Sequence, residues 1–276
     1  MTGFADHLTA GISWRERPGD GPVLLALHGI GSEARCFEAL AAHLPGWRVL
    51  AWNAPGYGAS APLAPEWPVA GDYAATLARL VVALDLPRCH LLGHSLGTLI
   101  AAAFAVVQPS RLRSLTLAAC AQGGGVAVGA TMPPTHATRI ADLARDGARA
   151  FATARAPRLI HAPQANPGLV RAVADSMARV RLPGYAQAVR MLASGNLAAD
   201  CAKLAVPTAV IVGADDVVTP PAQSARAHSA LAAPWQRGLT VVPDTGHALH
   251  LQTPQALARV MLAQAAHTSD HLKEQT

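Results

Sequence analysis

A G-x-S-x-G pentapeptide at residues 93–97, GHSLG, constrains the fold of this chain more than any other stretch. An apolar run precedes it at 89–92 and a run of small apolar residues follows at 98–107, so the pattern predicts a strand, a sharp turn and a helix. A serine at such a turn takes a strained backbone conformation and projects its hydroxyl group above the edge of a sheet. Gly93 and Gly97 flank the turn because side chains there would collide across it. Ser95 is therefore a candidate nucleophile.

The rest of the chain alternates apolar runs with amphipathic stretches, which predicts an α/β fold with a mostly parallel β-sheet flanked by helices. Continuous apolar runs are typical of strands buried on both faces of a parallel sheet. The predicted strands are an edge strand at 8–17 and further strands at 22–28, 47–52, 89–92, 112–119, 207–213 and 239–242. Besides the helix after the serine turn, the predicted helices lie at 32–44, with Ser32 as N-cap, at 72–86, with Asp72 as N-cap, and at 222–232 and 254–266.

Residues 121–200 differ from the flanking sequence because they contain no apolar run of the buried-strand type. Their apolar residues recur at helical spacing instead, and prolines divide the stretch. The pattern predicts a helical insertion at 121–200, with a core domain formed by 1–120 and 201–276.

Composition and apolar run lengths bear on compartment. Hydrophobic residues make up 51% of the chain and charged residues only 14%, so we expect a large buried core. No apolar run reaches the roughly 18 residues needed to cross a bilayer. The N-terminal stretch lacks the basic start and apolar block of a secretory signal. We therefore expect a cytoplasmic protein with no membrane partner.

The cysteines and the charge distribution exclude two kinds of site. The four cysteines form no C-x-x-C pair, so we expect buried reduced thiols and no metal centre. The formal net charge is +5, and its excess is local, because residues 121–196 hold nine arginines and only three acidic residues. This segment has no run of basic residues and no interleaved aromatic residues, so nucleic-acid binding is not expected.

Three polar groups follow predicted strands: Ser95, the pair Asp215 and Asp216, and His247. The carboxyl ends of parallel strands meet at one edge of a sheet, so these side chains should lie close together. A serine nucleophile needs a base to remove its proton and an acid to orient that base. The order Ser, Asp, His along the chain is that of the α/β-hydrolase triad.

The chain contains five motifs in order: HGIGS at 28–32, NAPGYGAS at 53–60, GHSLG at 93–97, GADDVVTP at 213–220 and GHALHLQTP at 246–254. Together they resemble those of the α/β-hydrolase fold superfamily, and the resemblance covers nearly the whole chain. It is greatest to the 3-oxoadipate enol-lactonase and small carboxylesterase group, with the insertion in the place of the family's helical cap, or lid.

The resemblance implies a role for each matching residue. Ser95 would be the nucleophile, His247 the base, and Asp216 the acid, since its spacing from the ends of the acid motif matches the family's. Asp215 would then be a loop or helix-cap carboxylate, and the backbone N–H groups of Ile30 and Leu96 would form the oxyanion hole. Supporting structural roles are implied for His28, Gly29, Gly93, His94 and Gly97, and a packing role for His250. No metal and no organic cofactor is implied.

At two positions the chain departs from the family's usual residues. Asn53 stands where an aspartate is more frequent, and Gln252 stands where a glutamate is frequent. An asparagine can still hydrogen-bond a turn backbone, so we expect only the electrostatics of that loop to change. We expect the glutamine to have little consequence for the triad.

The resemblance implies acyl transfer on a small-molecule ester or lactone, with the oligomeric state left open. The excess of arginines in the insertion favours a carboxylate-bearing substrate, because a positively charged roof over a cleft attracts anions. Other hypotheses remain: a carbon–carbon bond hydrolase or cofactor-free perhydrolase on the same triad, and, from another class, a hydrolase-like ligand receptor.

Overall fold

One mixed β-sheet forms the centre of the computed structural model, which describes residues 3–273 and side-chain packing as far as residue 267. Its strand order is β1-β2-β4-β3-β5-β6-β7-β8, and only the pairings β1–β2 and β2–β4 are antiparallel. The strands in these residues are β1 (Ala5–Thr9), β2 (Ile12–Arg17), β3 (Val23–Leu27), β4 (Arg48–Trp52), β5 (Cys89–His94), β6 (Leu112–Ala118), β7 (Thr208–Gly213) and β8 (Gln236–Val242). The predicted α/β class with a mostly parallel sheet is confirmed.

Helices cover both faces of this sheet. No helix within residues 3–273 is long and apolar enough to pass through a bilayer. The helices are α1 (Glu38–Ala42), α2 (Ala70–Ala83), α3 (Leu96–Val107), α4 (Pro134–Arg155), α5 (Pro167–Met177), α6 (Gly184–Ser194), α7 (Leu197–Cys201), α8 (Pro221–Ser229), α9 (Leu249–Gln252) and α10 (Pro254–Lys273).

The central strands are buried along their whole length, as their continuous apolar runs predict. Along β3, Leu25 and Leu27 belong to the core shared with α2 and α3, whereas Leu24 and Ala26 belong to the core shared with α1 and α10. Fully burying a leucine side chain stabilises a fold by about 1.5–3 kcal/mol, so both faces of the strand contribute. This double burial keeps the carboxyl edge of the sheet in a fixed position.

The N-terminal prediction of one strand at 8–17 is wrong, because the chain turns back in the middle of it. Strands β1 and β2 form a hairpin in which Thr9 is paired with Ile12. The two turn residues, Ala10 and Gly11, have φ of 50° and 77°. Positive φ at both central positions is the geometry of the two-residue turns that join antiparallel strands.

Both predicted N-caps are wrong as caps. The segment after Ser32 begins with a 3-10 turn, and the N–H of Ala34 donates to Oδ1 of Asn53 at 2.9 Å, so a tertiary partner takes the place of a local cap. Helix α2 begins before Asp72, whose Oδ2 accepts the N–H of Val69 at 2.8 Å from inside the first turn. In both cases a side-chain oxygen accepts a hydrogen bond from an N–H group at the start of the segment, where helical N–H groups have no partner within the helix.

Residues 121–200, which we call the helical segment, contain helices and no strand. They touch the rest of the chain backbone to backbone where Gly56, at φ of +83°, meets Gly184 at the start of α6. A Cβ atom on either glycine would collide with the main chain of the other. Beside this contact, the amide of Gln187 donates to the carbonyl oxygens of Leu63 and Pro65 at 2.7 and 2.8 Å.

A buried histidine in the sheet gives the fold a pH dependence. His90 in β5 is 2% exposed, and its Nδ1 lies 2.8 Å from Oγ of Ser114. Burial, followed by the charge of Arg113, lowers the pKa of His90 from 6.5 to about 4. The unfolded chain therefore binds the proton more tightly, so the stability from this group is fully present above pH 6.5 and is lost as the pH falls through 4.

We predict that His90→Gln flattens the acid limb of the stability profile. Between pH 6.5 and 4 the free energy of unfolding should fall less steeply than in the wild type, by about 1.4 kcal/mol per pH unit, which corresponds to one proton. Urea unfolding at several pH values measures the slope. His43→Gln, at an exposed position, is the control and should leave the slope unchanged. An equal slope in His90→Gln and the wild type would contradict the assignment.

Candidate active site

Ser95 stands at the turn between β5 and α3 in a conformation that non-glycine residues rarely adopt, with φ of 53° and ψ of −118°. Its N–H donates to the carbonyl oxygen of Ala118 in the neighbouring strand at 2.9 Å. A Cβ atom at Gly93 would collide with the carbonyl oxygen of Gly97, and one at Gly97 would collide with that of Leu27. The two glycines therefore let main chains approach closely on both sides of the strained serine.

His247 and Asp216 form a buried pair beside this turn. Nδ1 of His247 lies 2.8 Å from Oδ2 of Asp216, and the two residues are 4% and 3% exposed. Oδ1 of the same carboxylate accepts the N–H groups of Val218 and Thr219, each at 2.8 Å. Burial alone would raise the pKa of Asp216, but the hydrogen bonds from His247 and Thr219 outweigh it and hold the pKa below its usual value. An ionised carboxylate accepts only, so Nδ1 of His247 carries a proton, and in the neutral form of the ring the lone pair is on Nε2.

Asp215, the other candidate acid, faces away from His247. Its Oδ2 lies 3.0 Å from Nδ1 of His161, and its side chain is 46% exposed. The structure thus brings Asp216, and not Asp215, to the histidine that follows the last strand.

Thr219 is a member of the site that the sequence analysis missed. Its Oγ1 lies 2.8 Å from Oδ2 of Asp216, 3.1 Å from Nδ1 of His247 and 3.1 Å from the carbonyl oxygen of Ala119. The hydroxyl has a single proton, so it donates to one of the two oxygens at a time. The signal in the sequence was the spacing Asp-x-x-Thr, which lets a side chain meet a carboxylate across one turn.

Two further histidines support the site as neutral groups. Nε2 of His94 donates to the carbonyl oxygen of His247 at 2.9 Å, and burial, followed by the charge of His247, lowers the pKa of His94 to about 3. Nδ1 of His28 donates to the carbonyl oxygen of Gly29 at 2.8 Å, and Nε2 accepts the N–H of Ala54 at 3.0 Å. Burial lowers the pKa of His28 to about 4. Both rings therefore hold main chain in place at neutral pH.

The loop after β3 lies against the serine. A Cβ atom at Gly29 would come within 2.9 Å of Cβ of Ser95, so only glycine permits this approach. Ile30, next along the loop, and Leu96, the first residue of α3, line one cavity with Ser95 and His247. The first N–H groups of a helix have no partner within it and favour negative charge. Backbone N–H groups at these two positions are the candidates for binding an oxyanion.

The cavity has a volume of about 350 Å³, and the helical segment forms much of its wall. Three arginines contribute to the wall: Arg139, Arg155 and Arg158. The apolar and aromatic lining includes Phe151, Leu159, Met177, Tyr185 and Leu192.

Only some of the arginines of the helical segment are neutralised. Arg155 pairs with Asp142 at 3.0 Å and lies over the ring of Phe151, 4.4 Å from its centroid. Arg139 lies near Tyr185, and its charge partly offsets the rise that burial causes in the pKa of the Tyr185 hydroxyl. Within the described part of the chain, neither Arg139 nor Arg158 has a carboxylate at ion-pair distance. Outside the cavity, Arg145, Arg149, Arg179 and Arg190 each pair with an acidic residue.

One group away from the serine offers metal-ligand atoms. His161, Asp215 and Asp244 place one such atom each within 4.8 Å of one another. Nδ1 of His161 lies 3.0 Å from Asp215 and Nε2 lies 4.0 Å from Asp244, and both carboxylates are exposed.

Comparisons with known proteins add the following. A model described as the alpha/beta hydrolase family matches residues 23–260. The chain is 40% identical over 102 residues to a pimeloyl-acyl-carrier-protein methyl ester esterase of Aeromonas salmonicida, a match that spans 36% of this chain and only 38% of that protein. It is 29% identical over 254 residues to a putative carbamate hydrolase of Pseudomonas savastanoi, covering 88% of this chain and 93% of that one. The solved enol-lactonase of Burkholderia xenovorans LB400 superposes with a TM-score of 0.80 at 21% identity, covering 95% and 100% of the two chains, which is a likeness of fold.

We predict that a fluorophosphonate labels Ser95, and that Ser95→Ala abolishes labelling. Asp216→Asn should slow labelling by orders of magnitude, because the corresponding change in a serine protease lowers kcat about ten-thousand-fold through the wrong histidine tautomer. Mass spectrometry of labelled peptides and the labelling rate are the measurements.

Asp215→Asn is the matched control, since it removes one carboxylate charge one residue away. It should label within a few-fold of the wild-type rate. Thermal unfolding of all variants separates lost reactivity from lost folding. A larger loss in Asp215→Asn than in Asp216→Asn at equal stability would reverse the assignment of the acid.

Proposed function

Because this chain belongs to the alpha/beta hydrolase family, we propose that it is a serine hydrolase that cleaves a small ester or lactone through Ser95, His247 and Asp216. The observation that carries the proposal is the 2.8 Å contact between Nδ1 of His247 and Oδ2 of Asp216, on the cavity that Ser95 also lines. A strained serine, a histidine with its lone pair on Nε2 and an ionised orienting carboxylate are the parts that acyl transfer requires.

In the first half-reaction, Oγ of Ser95 attacks the carbonyl carbon while Nε2 of His247 takes the hydroxyl proton. The carbonyl oxygen becomes an oxyanion that accepts the N–H groups of Ile30 and Leu96. Loss of one donor of this kind typically lowers kcat about a hundred- to a thousand-fold. Asp216 stabilises the imidazolium ion, which then gives its proton to the departing alkoxide. A lactone opens at this step and its alcohol stays attached to the acyl group.

In the second half-reaction, water attacks the acyl-enzyme, and His247 again accepts the proton. The second oxyanion collapses, the bond to Oγ of Ser95 breaks, and the serine recovers its proton from His247. The lowered pKa values of His28 and His94 make both rings weak bases, which supports His247 as the proton carrier of this cycle.

The names of the relatives support the class of bond. One is named for a methyl ester, one for a carbamate and one for an enol-lactone. All three compounds present a carbonyl carbon to which an oxygen or nitrogen leaving group is attached. The same nucleophile, base and oxyanion donors serve each of them.

Residues 121–200 act as the cap of this enzyme, and its arginines select the substrate. Arg139 and Arg158 reach the cavity wall without a carboxylate partner among the described residues. A guanidinium group pairs with a carboxylate through two parallel hydrogen bonds, and the pair is stronger away from bulk water. A carboxylate-bearing ester or lactone would supply the missing partner.

We predict turnover of small aryl esters and lactones by the wild type and none by Ser95→Ala. Product release from a panel of aryl esters, alkyl esters, lactones and thioesters measures it, since the alanine variant keeps the cavity and removes only the attacking atom. A wild type that is labelled at Ser95 yet turns over no compound of the panel would refute hydrolysis of this class.

We predict that Arg139→Gln and Arg158→Gln each lower kcat/KM for a carboxylated lactone by about tenfold, because a hydrogen-bonded charge pair contributes about 1.5–3 kcal/mol. The methyl ester of the same lactone should be little affected. Wild-type kcat/KM for the acid, but not for its ester, should fall as ionic strength rises.

Arg171→Gln makes the same change of charge at an exposed position outside the cavity and serves as the control. It should leave both substrates unaffected. A wild type that prefers the neutral ester, with no salt dependence for either compound, would leave a general carboxylesterase without anion selection.

A further inference from the structure

Residues 159–161 of the helical segment, which we call the strap, lie against the loop that carries His247. The carbonyl oxygen of Leu159 accepts the N–H of Ala248 at 2.8 Å. On the other side of His247, a Cβ atom at Gly246 would come within 2.7 Å of the nitrogen of His161 and 2.8 Å of the Leu159 oxygen. The two residues that flank the base are therefore both in contact with strap backbone.

Gln252, at the end of α9, joins the same two pieces of chain with its side-chain amide. Oε1 accepts the N–H of Gly246 and the N–H of His161, each at 3.0 Å. Nε2 donates to the carbonyl oxygen of His161 at 3.0 Å. The partners settle the orientation of the amide, because its oxygen faces two donors and its nitrogen faces an acceptor.

We propose that Gln252 is a positioning residue for the hydrolysis reaction: its amide clamps the strap to the His247 loop and so keeps the base and the cavity wall in one arrangement. The inference rests on the proposed function for its catalytic consequence. Leu159 both accepts the bond from Ala248 and lines the cavity with Ser95, so movement of the strap would displace the wall and the base together.

An amide is needed at this position because one terminal atom of the side chain must accept hydrogen bonds and the other must donate one. A glutamate at this position would accept the two N–H groups, but its second oxygen would face the carbonyl oxygen of His161 without a proton. Protonated, the same side chain donates an O–H there and reproduces the glutamine pattern. Gln252 is therefore not equivalent to an ionised glutamate in this arrangement.

Several titratable side chains lie close to the Gln252 amide. The His161 ring faces Asp215 at 3.0 Å and Asp244 at 4.0 Å, and the Asp216–His247 pair lies beyond Gly246. These groups are the same in the wild type and in any variant of Gln252. Dividing the kcat/KM of the neutral variant Gln252→Met by that of the wild type at each pH therefore removes their titration in common, whereas the ratio for Gln252→Glu reports the introduced carboxyl group together with its charge effect on these neighbours.

The test compares Gln252→Glu, Gln252→Met and the wild type across pH 5 to 9, with an ester that the wild type hydrolyses. At pH 8, kcat/KM for Gln252→Glu should be about tenfold below wild type, the loss expected for a polar contact left unmade. The ratio to wild type should rise as the pH falls and the carboxyl group gains its proton. For Gln252→Met, which cannot titrate, the ratio should be low and independent of pH.

Gln236→Glu is the matched control, because the Gln236 amide also donates to a backbone carbonyl, that of His228 at 2.9 Å, but remote from the serine. Its ratio should not rise at low pH. A Gln252→Glu ratio that stays flat with pH, whether at the wild-type level or below it, would overturn the proposal.

Hydrogen exchange supplies a readout that needs no turnover. The N–H groups of His161 and Gly246 should lose protection in Gln252→Met relative to wild type at the same pH, because methionine cannot accept them. Unchanged protection would overturn the clamp. If the wild type hydrolysed no ester or lactone, the proposed function would fail while the exchange data still decided whether Gln252 holds the strap.

Discussion

The backbone of Ser95, held at φ of 53°, is the constraint on which the rest of the site depends. A residue in such a conformation costs of order 1–3 kcal/mol and persists only where its surroundings leave no alternative. Strand β5 holds the chain that precedes Ser95, and α3 holds the chain that follows it. Gly29 lets the loop after β3 pack against Cβ of Ser95. Burial of the central strands on two faces holds all three in register, so the core of the sheet supports a geometry that the turn could not hold by itself.

The hydrogen bonds around Ser95 depend on neutral histidines and on side-chain amides. His94 ties its strand end to the main chain of His247, and His28 ties the loop after β3 to the next one. Asn53 and Gln252 both use their amide nitrogen as a donor: Nδ2 of Asn53 donates to Oγ of Ser13 at 3.0 Å, while Gln252 donates to the strap. An ionised acid could not donate at either place.

Sequence patterns predicted the features that depend on neighbours along the chain, such as the buried strands and the strand–turn–helix around Ser95. Predictions from these patterns were wrong or incomplete where a residue far away in the sequence determines the contacts of a side chain. Ser32 lost its capping role to Asn53, and Asp215 and Asp216 could be told apart only by family spacing until the chain brought His161 to one and His247 to the other. The arginine excess in 121–200 was visible as composition, but which arginines remain unpaired depends on the acids that the fold brings near them. The role of Gln252 was invisible for the same reason, since its partners lie 91 and 6 residues away.

The contact between Gly56 and Gly184 also bears on how such chains could exchange parts. A graft that replaced residues 121–200 with the equivalent region of another protein would have to bring a residue without a Cβ to the place of Gly184, or the two main chains could not meet. It would also need a backbone N–H and carbonyl group to meet Gln252 in the place of those of His161. Exchanging the whole helical segment between related proteins would keep these two contacts together with the cavity wall that the segment forms. A crossover inside the segment would separate the contacts from the wall residues that they hold in place.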